Sequence, residues 1–181
     1  RDAGNVAIVE PLAQAYRDLA DHAGLEQLLS LSVQTMNQMR EESPDVVPNL
    51  IRYAQELLAL YDEGGPLASP AKALEQYELL ADADASNAVA IYKAREGLKA
   101  QGRFGDALRF YAKERALVEG DTARQVALFR DEAQCCRSAS DLPASVEALR
   151  QAYELGREDT GVGYEFALAA VEVVDAGQSL S

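Results

Sequence analysis

Residues 102–111 read Gly102-Arg103-Phe104-Gly105-Asp106-Ala107-Leu108-Arg109-Phe110-Tyr111, and their spacing decides the fold. The stretch follows an amphipathic run ending near Gln101 and opens a second that reaches about Val118. Gly102 can end the first helix without the penalty a Cβ brings to a left-handed residue. Phe104 is placed to plug the corner, Ala107 to let two helices approach closely, and Tyr111 to fill the next turn. The expected unit is a helical hairpin.

Outward from this hairpin, the chain punctuates itself as helix after helix. Ser86-Asn87 start the helix that leads into Gly102, with Val89, Ile91, Ala94 and Leu98 as its apolar positions. Asp121 caps the next helix, striped by Val126, Phe129, Ala133 and Cys136, and Asp141-Leu142-Pro143 open another that Gly156 is placed to end. Upstream, Ser43-Pro44 and Ser69-Pro70 pair a capping hydroxyl with a proline suited to a first helical position. Ile8, Leu12, Ala15 and Leu19 form an i, i+4, i+7, i+11 stripe expected to face inward, and Ala23-Gly24 are expected to break that first helix. The hairpins therefore fall at about 5–40, 44–82, 86–118 and 121–156, in one domain spanning 1–181. A final helix is expected over about 160–176: Val162, Tyr164, Phe166 and Leu168 alternate as a strand would, but Ala167, Ala169 and Ala170 favour helix.

Composition limits the functions open to such a chain. Hydrophobic residues make up 48% and charged residues 26%, the balance of a globular protein. A net charge of −13 argues against a nucleic-acid surface and against docking on anionic membranes. No run approaches the roughly 18–20 apolar residues of a membrane span, so no membrane insertion is expected. Arg1 is not an initiator methionine and no signal-type segment follows it, which is compatible with a processed piece of a longer chain. Adjacent Cys135 and Cys136 would point their thiols about a hundred degrees apart on a helix, so two buried or half-buried thiols are expected rather than a bridge. That usage suits a cytoplasmic setting.

The close-packing positions of the second helices recur. Ala73 to Ala107 is 34 residues, Ala107 to Ser145 is 38, and Leu28 to Ala73 is 45. On Leu98, Gly102, Phe104, Ala107 and Tyr111, with Ile91 and Ala94 before them, the chain resembles the tetratricopeptide-repeat superfamily. The resemblance implies an all-α, right-handed superhelix of four hairpins plus a terminal helix, with the first helix of each hairpin lining a concave face. It also implies that Tyr92, Lys93, Glu96 and Lys99 share that face with Arg130, Gln134 and Arg137, with Arg17 and Arg52 as weaker members. Such a groove favours an acidic peptide or helix of another protein; the alternative is that these cations simply pair with acids such as Glu96 and Asp131. Some family members grip a C-terminal carboxylate with a lysine–asparagine, asparagine, lysine–arginine set. The matching positions here are Ala13 and Arg17, Val89 and Lys93, Ala127 and Asp131, so that set is not present.

No enzyme constellation stands out, and no catalytic residue, cofactor or metal is expected. His22 is the single histidine, expected at the carboxyl end of the first helix as a cation on its dipole. Gly161-Val162-Gly163 lacks the third glycine of a dinucleotide loop. Asp82, Asp84 and Ser86 start like a calcium loop, but Asn87 and Lys93 stand where glycine and glutamate belong. The leading expectation is a non-catalytic interaction scaffold. The second is a regulatory or oligomerisation module of a larger signalling or transcriptional regulator, using Tyr164, Phe166, Leu168 and Val171 of the last helix as a homodimer or next-repeat surface.

Overall fold

The computed structural model describes residues 5–175 and Gly177, and among them helices alternate with short turns and no strand occurs. In order these are α1 (Val6–Asp18), α2 (His22–Met39), α3 (Val47–Tyr61, preceded by a 3₁₀ turn at Pro44–Val46), α4 (Pro70–Ala83), α5 (Ala88–Ala100), α6 (Phe104–Leu117), α7 (Thr122–Ser138), α8 (Leu142–Leu155) and α9 (Thr160–Asp175). The chain divides into two compact units, residues 1–90 and 91–181. In the first, α1 packs on α2, α2 on α3 and α3 on α4; in the second, α6 packs on α7, α7 on α8 and α8 on α9. Within each unit these helices bury their stripes on their chain neighbours, which is the all-α hairpin repeat expected from the sequence.

The local signals act as their chemistry dictates. Asp121 and Asp141 accept hydrogen bonds from the backbone N–H groups of Arg124 and Ala144, satisfying donors that a helix start leaves open. Gly102 sits at φ +72°. There its N–H donates to the Lys99 carbonyl while Arg103 N–H donates to that of Leu98, the paired bonds of a left-handed helix stop. Ala107 and Tyr111 are fully buried and Phe104 half-buried at the corner.

Three expectations at the N-terminal end are corrected. Ala23-Gly24 do not break a helix. Ala20, at φ +53°, makes the break, and Gly24 lies in the first turn of α2, donating its N–H to the Asp21 side chain. A Cβ on Gly24 would lie 2.4 Å from a ring carbon of Tyr16, so glycine is what lets α1 approach there. His22 accordingly opens α2 rather than closing α1. The buried side of α1 is Val9 and Ala13, while Ile8, Leu12 and Leu19 are exposed. Periodicity marks an apolar face correctly, but α1 turns a different one to its neighbours.

In the second unit the core cluster joins Ala133 of α7, Val146, Ala148 and Leu149 of α8, and Ala169 and Val173 of α9, with Phe129, Leu142, Phe166 and Ala170 packed around it. Cys135 and Cys136 are free, buried thiols. Burial, with Glu132 and Asp141 nearby, pushes the Cys136 thiol up to about 12, so it stays protonated and packs as a small apolar group.

Candidate interaction groove

Positions i, i+4 and i+7 share one face of a helix, and on α7 they hold Arg130, Gln134 and Arg137. α9 lays Glu165 and Glu172, also seven apart, alongside. Arg130 Nε lies 2.9 Å from Glu165 Oε2, with a second N–H on the other oxygen, and Arg137 reaches a Glu172 oxygen at 2.9 Å. Between these two bridges lies an open cavity of about 170 Å³, lined by Arg130, Gln134, Arg137, Glu165 and Leu168 over Ala133 and Leu149. Three residues expected to share a surface therefore do so, on a partly apolar floor.

The cations of α5 meet α7 in the same manner. Lys99 Nζ donates to both oxygens of Asp131, at 2.8 and 2.9 Å, and to Glu96 at 3.0 Å. Those two acids are the ones named as possible partners from sequence. Tyr92 is 48% exposed. Lys93 is exposed and has no charged partner among the described residues. In the first unit, Arg17 forks onto Glu56 at 2.6 and 2.8 Å and shares Glu10 with Arg52, whose guanidinium also stacks on Tyr53. Of the α9 set, Tyr164, Leu168 and Val171 face outward, but Phe166 does not. It stacks on Tyr153 with ring centroids 6.1 Å apart and helps hold α9 to α8.

Sequence reasoning passed over Arg95, which is only 4% exposed. Its guanidinium donates to Glu114 at 2.8 Å and also to Asp131, and lies 4.7 Å from the centre of the Tyr111 ring. Tyr111 donates its hydroxyl to Asp131 at 2.7 Å. The clue is in the chain: Arg95 falls between Ile91 and Leu98 on the buried stripe, where a charge requires internal partners.

Neighbouring Asp131 and Glu132 feel opposite environments. Burial works to raise the Asp131 carboxyl, but hydrogen bonds from Lys99 and Tyr111 and the charges of Lys99 and Arg95 outweigh it and hold the group below its ordinary value. For Glu132 burial prevails over the Arg115 ion pair, and its carboxyl is raised. Asp131 thus contributes stability above the ordinary carboxylate range, lost as pH falls through its depressed folded value. The Glu132 carboxylate is a net cost above its raised folded value. Asp131→Asn is expected to cost about 1–2 kcal/mol at pH 7, moderated by partial exposure, and progressively less as the pH is lowered below the ordinary carboxylate range. Glu132→Gln, which keeps an acceptor for Arg115, is expected to cost less at pH 7. Thermal melts across that pH range check both, and equal effects at pH 7 would refute the contrast.

Among the described residues no group of three or more His, Cys, Asp and Glu side chains is placed to hold a metal ion. Likewise no helix there is long and apolar enough to cross a membrane. No family model matches the chain, and no curated protein matches it. Among solved structures, a crystal structure of MamA is similar at 12% identity over 93% of this chain and 81% of that one, with a TM-score of 0.42. A second MamA crystal structure is similar at 12% identity over 92% and 85%, with a TM-score of 0.44. A MamA double mutant gives 12% identity over 97% and 87%, with a TM-score of 0.45. Likeness at this level adds no weight, and the fold rests on the chain's own helices.

Proposed function

We propose that the chain is a non-catalytic interaction scaffold that seats a peptide or helix of a protein partner along the first-helix edge of its hairpins. The observation that carries this reading is the cavity between α7 and α9, where Arg130, Gln134 and Arg137 stand over an apolar floor. The Arg130 and Arg137 bridges are partly exposed to solvent, and surface pairs hold by only about 0–1 kcal/mol. An incoming carboxylate can therefore take over either arginine at little cost, while an apolar side chain fills the floor. Lys93, unpaired and exposed, adds a free charge on α5. The partner is a protein with acidic residues in the bound segment, not a nucleic acid, and the setting is cytoplasmic.

The test is a labelled peptide carrying two glutamates seven residues apart with a leucine between them, followed by fluorescence anisotropy. Binding is expected to weaken about tenfold or more in Lys93→Glu with Arg130→Glu. These are surface changes, so the melting temperature is expected to fall by no more than about 4 °C. Binding that the double variant leaves unchanged would sink the groove reading. The second reading, a regulatory or oligomerisation module of a larger regulator, draws on the outward face of α9.

A further inference from the structure

One edge position recurs along the first helices of the second unit. At i, i+4 and i+7, α5 carries Tyr92, Glu96 and Lys99; α7 carries Arg130, Gln134 and Arg137; α9 carries Tyr164, Leu168 and Val171. The first two sets pass charge forward, from Lys99 to Asp131 on α7 and from Arg130 and Arg137 to Glu165 and Glu172 on α9. The third set is wholly apolar. Tyr164 is 70% exposed, Leu168 45% and Val171 56%, and Val174 widens the strip at 66%. Helical geometry gathers these four into one arc of roughly 120°, and no described helix lies beyond it. An apolar stripe this long on a surface marks an interaction site.

We propose that this edge of α9 docks an amphipathic helix of a partner, one with an apolar stripe at i, i+4, i+7 spacing and lysines or arginines flanking it. The stripe runs along a regular helix, so ridge-into-groove packing with a second helix is the geometry that covers it. Charge selects the flanks. On α9 Glu165 and Glu172 are already paired with Arg130 and Arg137, but exposed Asp175 continues the stripe four residues beyond Val171. Asp159 caps the helix start, the helix holds neither lysine nor arginine, and the chain as a whole carries −13. A basic flank is drawn to this edge and an acidic one is repelled. The same charge disfavours a second copy, which would bring −13 against −13. A further exposed apolar strip among the described residues, Ile8 and Leu12 on α1 with Leu19 just past its end, has Asp18 beside it and no basic flank to offer. This docking edge meets the arginine-lined groove at Leu168, but neither Arg130 nor Arg137 belongs to it, and Tyr164, Val171 and Val174 lie outside the groove.

Three 18-residue probe peptides test the proposal by anisotropy with the full 181-residue chain: a leucine-striped helix with lysine flanks, the same stripe with glutamate flanks, and a scramble of the lysine peptide. The lysine-flanked helix is expected to bind about tenfold or more tighter than either control. Val171→Glu and Val171→Lys both place a charge in the stripe and are each expected to remove that difference, with unchanged circular dichroism. Arg130→Gln is expected to leave it intact, which separates this edge from the groove. Equal binding of the scramble, or binding indifferent to both Val171 variants, would overturn the proposal. So would self-association in sedimentation that Val171→Glu abolishes, which would assign the edge to a second copy.

Discussion

Replacing Arg95 with leucine is expected to destabilise the protein by about 3–5 kcal/mol, the cost of leaving buried partners of a charge uncompensated. For a chain of this length that is a fall in Tm on the order of 10 °C. The guanidinium is 4% exposed and is the common point of a network in which Glu114, Asp131 and Tyr111 converge. Removing it leaves Glu114 and Asp131 without the cation they share, with Asp131 keeping only Lys99 and the Tyr111 hydroxyl. Burial opposes the arginine's charge, but the hydrogen bond with Tyr111 and the fields of Glu114 and Asp131 overcome it, so it stays protonated throughout any practical pH range. Lys93→Leu, two residues away on the exposed side, is the control and should shift stability by no more than about 0.5 kcal/mol. Urea denaturation of the two variants settles the matter: if Arg95→Leu unfolds at the parent's midpoint, the network does not support the fold.

Leu149→Ala is expected to cost about 2–5 kcal/mol, through lost apolar burial and the void left behind. Leu149 is 4% exposed and sits on α8 between the two helices that it joins, touching the cluster of Ala133, Val146, Ala169 and Val173. Most of those neighbours are small, so they have little side chain with which to collapse into the space. The same leucine is part of the floor of the arginine-lined cavity. Truncation should therefore loosen α9 and weaken the acidic peptide together, whereas Lys93→Glu with Arg130→Glu should affect binding alone. Paired melting and binding measurements on both variants distinguish a packing role from a contact role. A Leu149→Ala protein of parental stability would show that α8 does not couple these helices.

Much of the fold is legible in the chain because its signals are local. Gly102 requires a left-handed stop, Asp121 and Asp141 provide side-chain caps, and Ala107 recurs with Ala73 at 34 residues. The shared face of Arg130, Gln134 and Arg137 follows from spacing alone. What those arginines touch does not, because Glu165 and Glu172 lie 35 residues further on and their register depends on how α9 docks. Arg95 escapes notice for a related reason: a charge in an apolar stripe looks exposed until its partners on α6 and α7 are placed. The Ile8, Leu12 and Leu19 stripe shows the converse limit, since hydrophobicity reveals a face without revealing its cover. Phe166 belongs with Tyr153 rather than with Tyr164, a distinction that alternation in an apolar run cannot make.

The ion pairs between successive hairpins within each unit also bear on how the protein comes into being. Arg17 meets Glu56 at a separation of 39, Lys72 meets Glu26 at 46, Arg95 meets Asp131 at 36 and Lys99 meets it at 32. Contacts of such short reach carry small loop-closure penalties, and chains built from them fold quickly. Each hairpin can acquire its lasting partners as soon as the next one leaves the ribosome. Opening should proceed in the same piecewise fashion, with amide exchange fastest at the two terminal helices and slowest where helices are held on both sides.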